Sequence, residues 1–194
     1  MVARGGWGGV TREQLEHLIR AAGAILGDRD VVVIGSQAIL GAHPAGLPEA
    51  ATESMEADLL PVGDADGRKA DLIDGAIGEA SPFHERFAIY AQGVSRETAR
   101  LPAGWEERLV EVRGENTYGV TGHCLEPHDL LISKYVAGRP KDMRFCAAIV
   151  AAGLVRQDIL LERLASTHCT PDEAQRARAR IVRDFQAAER RADR

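Results

Sequence analysis

Hydrophobic residues recur at helical spacing near the start of the chain. Leu15 and Leu18 are followed by further apolar residues three and four positions apart, so they would share one face of a helix. Thr11 and Gln14 have the spacing of a capping box, in which each side chain satisfies a backbone N–H of the other. The pattern therefore predicts a helix that begins after Thr11 and ends near Gly27.

Short apolar and alternating runs, which are typical of β-strands, occupy the middle of the chain. The β-branched run at residues 31–34 indicates a buried strand, and residues 55–62 indicate a second. The pattern predicts strands at 31–34, 55–62, 87–91, 108–112 and 120–125, a short helix at 36–40, a loop at 41–51, a turn at 64–67 and a helix at 68–77.

After residue 125 the pattern becomes helical. Pro127 suits the first position of a helix, and we predict helices at 127–137, 140–152 and 158–165, then a long one to the C-terminus. The sequence therefore predicts an α/β (α+β) fold with two parts. A mixed sheet flanked by helices would occupy residues 11–125, and a helical C-terminal portion would occupy residues 126–194 and pack on it.

The last helix should begin at a capping box formed by Thr170 and Glu173. It is rich in arginine and has one apolar stripe, formed by Ile181, Val182 and Phe185. Acidic residues interleave with its arginines, namely Asp184, Glu189 and Asp193. We therefore favour a solvated surface helix that docks by its stripe over a nucleic-acid-binding arm.

Composition and charge give no sign of a polyanionic partner. The 194 residues are 45% hydrophobic and 27% charged, and the net charge is −5, whereas nucleic-acid binders are more often basic. Three widely spaced cysteines without a CxxC pair favour reduced thiols and a cytoplasmic location. The six histidines do not have the spacing of a zinc site. Residues 1–7 lack the apolar core of a signal peptide, and no apolar run is long enough to span a membrane.

Two features near the first predicted strands could carry chemistry. A Gly35-Ser36 pair closes the first strand, and its amide and hydroxyl donors could bind phosphate, although Ser36 could equally be a helix cap. On the second strand, Glu56 and Asp58 are two positions apart, so their side chains point to the same face. Two adjacent carboxylates repel each other unless a cation lies between them. A divalent ion with oxygen ligands is the simplest explanation.

These residues resemble the nucleotidyltransferase superfamily with a polymerase-beta-like palm. In that family a Gly-Ser turn ends the first strand of the palm, and Glu-x-Asp or Asp-x-Asp on the next strand binds metal. Ser54 fits the family's preference for Ser or Thr two positions before the first acid. The resemblance implies that Glu56 and Asp58 are catalytic and hold Mg²⁺ (or Mn²⁺), and that Gly35, Ser36 and Ser54 contact the nucleotide.

A second motif makes the resemblance closer to bacterial nucleotidyltransferase-like proteins related to abortive-infection toxins. It consists of Lys134 on a helix, followed by Arg139-Pro140-Lys141-Asp142, and the likeness runs over about residues 31–154. It implies that Lys134, Arg139 and Asp142 bind the nucleotide. The residues alone leave other readings open, because Lys134 could be a lysine with a buried stem and Asp142 could simply favour a helix N-terminus.

A third carboxylate, which the family places on a following strand, is missing at the matching position. Gln92 stands there, and an amide can bind a metal weakly but cannot act as a general base. Glu111 on the next predicted strand is a candidate replacement, and an outward surface acid is an equally good interpretation. The motif order predicts that Gln92 lies beside Glu56 and Asp58.

The resemblance implies a metal-dependent enzyme that moves an NMP from an NTP to an acceptor hydroxyl on RNA or protein, in a toxin or defence setting. The alternative is a catalytically inactive nucleotide-binding or protein-interaction module on the same fold, which the glutamine at position 92 favours. An antitoxin-type protein partner or a homo-oligomer would fit either hypothesis, and no membrane contact is expected.

Overall fold

A mixed five-stranded sheet forms the centre of the computed structural model, which describes residues 9–192. The strands are β1 (Asp30–Val33), β2 (Glu56–Pro61), β3 (Tyr90–Gly93), β4 (Val110–Val112) and β5 (Thr121–Cys124). Their order is β3-β2-β1-β5-β4, with β1 parallel to β5, β2 parallel to β3, and antiparallel pairs at β1/β2 and β4/β5. This is the predicted α/β architecture.

Helices flank the sheet and then form the C-terminal portion. They are α1 (Arg12–Leu26), α2 (Ile39–Ala42), α3 (Arg68–Ile77), α4 (Pro82–Phe87), α5 (Pro127–Ala137), α6 (Pro140–Ala151), α7 (Gln157–Ala165) and α8 (Pro171–Ala192). The Thr11–Gln14 capping box is formed, and Gly27 closes α1 in the left-handed conformation. No helix within residues 9–192 is long and apolar enough to cross a membrane. The interpretation of residues 1–7 and of Asp193 concerns residues outside that range.

Two predicted strands begin too early. Residues 87–89 were assigned to the third strand, but Phe87 ends α4. Ser81 caps that helix by accepting a hydrogen bond from the His84 amide, and Pro82 follows at the first helical position. The apolar run of residues 87–91 therefore joins a helix end to a strand start. Arg108 likewise lies in a 3₁₀ turn before β4.

The predicted loop at residues 41–51 is partly helical. Helix α2 continues to Ala42, and a 3₁₀ turn forms at Glu49–Ala51. These turns lead the chain from β1 back to β2 across one end of the sheet. The two ends of the segment therefore lie near the Gly35-Ser36 turn and near Glu56 at the start of β2.

Helix α8 docks by its apolar stripe, as predicted, but one of its acids is not solvated. Ile181 is fully buried and Phe185 is partly buried. Asp184 is only 7% exposed and accepts a hydrogen bond of 3.0 Å from the Tyr135 hydroxyl on α5. Asp184 also accepts hydrogen bonds from the exposed Arg183 at 3.0 and 3.1 Å. It therefore pairs with an arginine of the helix, as expected, but it is buried rather than solvated.

The helical portion is joined to the sheet portion by buried polar contacts. Asp129 at the start of α5 has no exposed surface and accepts two hydrogen bonds from the guanidinium of Arg108, at 2.8 and 3.1 Å. Arg163 on α7 lies 3.6 Å from the same carboxylate. The division of the chain near residue 125 stays a prediction, since these contacts tie the two parts together.

Candidate functional site

The candidate site lies where the end of β1 meets the beginning of β2. Ile34 donates its amide to the carbonyl of Asp58, which places Gly35 beside that residue. An added Cβ on Gly35 would lie 1.7 Å from the Asp58 Oδ2 atom. Glycine is therefore required here because any side chain would occupy the space of the carboxylate.

Glu56 and Asp58 point to the same face of β2, as their spacing predicts. Burial, reinforced by the negative charge of Glu56 and a hydrogen bond to it, raises the pKa of Asp58 to about 6. The Tyr90 hydroxyl donates to the Glu56 Oε2 atom at 3.2 Å, and burial raises the pKa of Tyr90 to about 12. Two crowded carboxylates with so few donors would be stabilised by a cation.

The donor set around the pair suits a hard divalent ion. Mg²⁺ is commonly held by one or two carboxylates together with substrate phosphates and water. Glu56 and Asp58 supply the carboxylates, and the side chain of Gln92 borders the same cavity. Across residues 9–192 no group of three acidic, His or Cys side chains is close enough to form a complete metal site. The chain therefore offers a two-carboxylate site that substrate oxygens would have to complete.

Lys134 reaches from α5 to the turn after β1. Its Nζ atom donates to the Ser36 Oγ atom at 2.8 Å, although the two residues are 98 positions apart. The side chain is 8% exposed, so this lysine does not extend into solvent. Burial lowers the pKa of Lys134, and the carboxylate of Asp142 at 3.5 Å opposes that effect. The amine is therefore held at the site at an electrostatic cost that an incoming anion would relieve.

Asp142 supports this cation from behind. It is 1% exposed and accepts hydrogen bonds from the guanidinium of Arg139 at 2.6 and 3.2 Å. Burial alone would raise the pKa of Asp142, but the Arg139 hydrogen bonds and the Lys134 charge hold the pKa below its usual value. Asp142 thus lies in the first turn of α6, where it accepts a hydrogen bond from the Arg139 amide, and at the same time compensates two cations of the site.

One cavity of about 520 Å³ collects most of the predicted residues. The predicted residues that line it are Gly35, Ser36, Ser54, Glu56, Asp58, Lys134 and Arg139, and Gln92 and Lys141 line it too. Asp142 lines an adjoining cavity of about 250 Å³ that shares Ser36 and Lys134. The structure therefore brings the two motifs, which are far apart in sequence, to a single place.

Gln92 and Glu111 have different positions relative to that place. Gln92 pairs with Asp58 in the register of β2 and β3, so it lies beside the carboxylate pair as predicted. Glu111 is exposed on β4, and β1 and β5 separate β4 from β2. Glu111 pairs with His123 and does not line the cavity. The strand order therefore contradicts the prediction that Glu111 could replace the third acid.

Sequence reasoning missed several residues that line the cavity. They are Glu97, Thr98, Ala99 and Arg100 after β3, Ser133, Val136 and Ala137 on α5, and Glu173 on α8. Glu173 was recognised only as a helix cap, and it also accepts a hydrogen bond of 3.1 Å from Arg100. No local pattern in the sequence relates these two segments, which are 73 residues apart.

Gln37 is a further buried residue that the motifs did not reveal. It has no exposed surface, and its Nε2 atom donates to the Ser54 carbonyl at 2.9 Å. Its Oε1 atom has no hydrogen-bond partner among residues 9–192. The contact holds the segment before β2 against the turn after β1, and so fixes Ser54 at the cavity wall.

Comparison with known proteins agrees with this arrangement of residues. No curated protein and no solved structure matches the chain significantly. A family model described as a nucleotidyltransferase of unknown function (DUF6036) matches residues 13–192. That match covers most of the chain and both motifs, and the chain therefore belongs to this family of nucleotidyltransferases.

Proposed function

We propose that this protein is a metal-dependent nucleotidyltransferase that moves an NMP from an NTP to an acceptor hydroxyl. One observation carries the proposal. Glu56 and Asp58 share a cavity with the Gly35-Ser36 turn, and Lys134 reaches that turn from the helical portion at 2.8 Å. A carboxylate pair beside phosphate donors and a buried amine is the arrangement that transfer of a nucleotidyl group needs.

Different residues of the chain would bind different parts of the triphosphate. Ser36 and Lys134 offer a hydroxyl and an ammonium to the phosphates that leave as pyrophosphate. Arg139 and Lys141 line the same side of the cavity and add positive charge. A divalent cation held by Glu56 and Asp58 would neutralise charge that develops on the α-phosphate oxygens.

The reaction is a substitution at the α-phosphorus atom. The acceptor hydroxyl oxygen forms a bond to that phosphorus, and the bond from phosphorus to the oxygen that bridges to the β-phosphate breaks. Pyrophosphate leaves with that bridging oxygen, and the hydroxyl proton passes to water in the open cavity. Since Gln92 cannot accept the proton and Glu111 lies at the far edge of the sheet, we expect slow turnover.

The second candidate is a nucleotide-binding or protein-interaction module without transferase activity. The glutamine beside Asp58 favours it, because the site then lacks a third acid. A nucleotide-binding module would share the binding of NTP and metal with the enzyme and would differ in that no label from the α-phosphate reaches an acceptor. A protein-interaction module would need neither NTP nor metal.

A toxin or defence role, with an antitoxin-type protein or a second copy of the chain as partner, also belongs to this proposal. It rests on the resemblance of the two motifs to abortive-infection relatives, whereas the proposed cytoplasmic setting rests on the pattern of the three cysteines. The test has two steps. The protein encoded by an adjacent gene should co-purify with this one, and cells that express this protein should grow differently with and without that partner.

Titration calorimetry with Mg²⁺ or Mn²⁺, in the presence and absence of NTP, tests the binding step. The double variant Glu56→Gln/Asp58→Asn should lose binding of the metal, and NTP should bind more weakly as a result. Glu111→Gln is a matched control, because it removes a carboxylate from an exposed strand position outside the cavity. Equal metal binding by all three proteins would exclude the assigned metal site. Incubation with NTP labelled at the α-phosphate then separates the enzyme from the inactive module.

A further inference from the structure

Three neighbouring strands set the order of groups across the site. Ser36 follows β1, Asp58 lies on β2 and Gln92 lies on β3, with β2 between the other two. In an in-line substitution the attacking and leaving oxygens lie on opposite sides of the phosphorus. If pyrophosphate leaves toward Ser36 and Lys134, the acceptor enters from the β3 side. This step rests on the proposed function.

A second cavity continues the site on that side. It has a volume of about 400 Å³ and shares Glu97, Ala99 and Arg100 with the first cavity. Beyond them it is lined by Arg96, Trp105 and His168. The two cavities therefore form one open trough, defined by these six residues together with Gln92. The trough leads away from the carboxylate pair.

The charges of the trough differ from those of the phosphate side of the cavity, which is formed by Ser36, Lys134, Arg139 and Lys141. Arg100 is bound to Glu173 at 3.1 Å, and Arg96 is bound to Glu106 and lies over the Trp105 ring at 5.3 Å. Each arginine thus has a carboxylate partner. Glu97, which lines both cavities, adds a carboxylate that forms no salt bridge among the described residues.

A polyanion would bind poorly to such a surface. Proteins bind nucleic acid chiefly through cations that neutralise successive phosphates, and both arginines here are already neutralised. A chain with neutral or positive side chains would meet complementary charge instead, and the open trough can accept an extended segment. We infer that the acceptor is the hydroxyl group of a Ser, Thr or Tyr side chain within a neutral or basic polypeptide segment.

The test compares acceptor classes with the full-length protein. NTPs labelled at the α-phosphate are incubated with Mg²⁺ or Mn²⁺ and a degenerate peptide library that has a central Ser, Thr or Tyr with basic, neutral or acidic flanks. Random single-stranded RNA with a free 3′-hydroxyl is the competing acceptor. We expect labelled peptides, with basic and neutral flanks preferred at least tenfold over acidic ones, and no labelled RNA.

A charge reversal in the trough gives an independent readout. Glu97→Arg should reduce labelling of basic peptides at least tenfold and improve labelling of acidic ones. Glu115→Arg makes the same change at an exposed position outside the trough and should keep the wild-type preference. Nucleotide affinity, followed with a fluorescent NTP, should change less than twofold in Glu115→Arg. Because Glu97 also lines the first cavity, peptide labelling by Glu97→Arg is compared at saturating NTP.

Each result separates this inference from the proposed function. Labelled RNA, or an unchanged preference in Glu97→Arg, would overturn the polypeptide acceptor and leave the transferase in place. No label on peptide or RNA, with intact NTP binding, would overturn the polypeptide acceptor and favour the inactive module. Loss of metal-dependent NTP binding in the wild-type protein would overturn both.

Discussion

The two sides of the cavity are built in different ways. On the phosphate side, Lys134 and Asp142 are almost fully buried and hold each other and Ser36 in place. On the β3 side, Gln92 is exposed, and Arg100 and Glu173 form an ion pair that is open to solvent. Buried charges are costly unless their partners are fixed, whereas an exposed ion pair contributes little to stability. The phosphate side is therefore suited to one constant ligand, and the β3 side to a more variable one.

The largest effect should come from Gly35→Ala, which breaks the phosphate side. The new Cβ would occupy the position of the Asp58 carboxylate, 1.7 Å from Oδ2. We expect at least about 100-fold weaker metal and NTP binding and a loss of about 1–3 kcal/mol of stability, since the overpacked residues must shift. Calorimetry and denaturant unfolding measure the two quantities.

Gly75→Ala is the control for that variant. Gly75 lies within α3, where an added Cβ meets no atom within 4 Å. It should leave binding intact and stabilise the protein by about 0.5–1 kcal/mol, because alanine is a better helix former. Normal binding in Gly35→Ala would show that the close contact with Asp58 is not needed.

Asp58→Asn should change how stability depends on pH in the metal-free protein. The folded-state pKa of Asp58 is about 6, above its ordinary 3.8. Its contribution to stability is fully present below pH 3.8 and is lost as the pH rises through about 6. The asparagine variant should therefore exceed the wild type by about 2–3 kcal/mol at pH 7, and the difference should vanish near pH 4.

Urea unfolding in a chelating buffer across that pH range measures this difference. Addition of Mg²⁺ with NTP should restore the wild-type protein more than the variant, because the cation compensates the ionised carboxylate. A difference in stability that is constant with pH would mean that folding does not raise the pKa of Asp58.

Lys134→Met sharpens the comparison by removing only the charge. The methionine retains an unbranched apolar stem but leaves the buried Asp142 carboxylate with Arg139 alone, so we expect a loss of about 1–3 kcal/mol in stability. NTP affinity should fall about tenfold, because one buried cation that faces the phosphates is lost. Thermal unfolding and a fluorescent NTP report the two effects. A large fall in melting temperature with unchanged affinity would assign Lys134 to packing.

Gln92→Asp should have the smallest effect and acts on the β3 side. A charged oxygen beside Asp58 should raise metal affinity by several-fold, about 1 kcal/mol, and any transferase rate should rise with it. Gln92→Asn shortens the side chain equally without adding charge and serves as the control. Equal metal affinity in the two variants would place Gln92 outside the metal site.

The sequence revealed the parts of the site that depend on local geometry. Glu56 and Asp58 are two positions apart on one strand, and Gly35-Ser36 directly ends another, so short-range rules place them correctly. The position of Glu111 depends on the order of strands, which the alternating pattern of residues 108–112 does not contain. The nearest strand in sequence is here a distant strand in space.

Burial created by long-range partners was equally hidden. In the sequence, Asp184 has the pattern of a surface acid. It is buried because the docking of α8 places it against Tyr135. Arg100 and Glu173 meet only because the turn before α8 is held against the segment after β3, where Ala103 donates its amide to the Ser166 carbonyl at 3.0 Å. Such contacts follow from tertiary packing and have no signature in either segment alone.

The 98-residue separation between Ser36 and Lys134 has a consequence during synthesis. Chains emerge from the ribosome from the N-terminus, and contacts between distant residues form late because closing a long loop is slow. A nascent chain can carry the Gly35-Ser36 turn and the carboxylate pair before α5 has emerged. The proposed phosphate site is completed only when that helix folds back onto the sheet, so a nascent chain would bind a nucleotide there only after most of the chain has been translated.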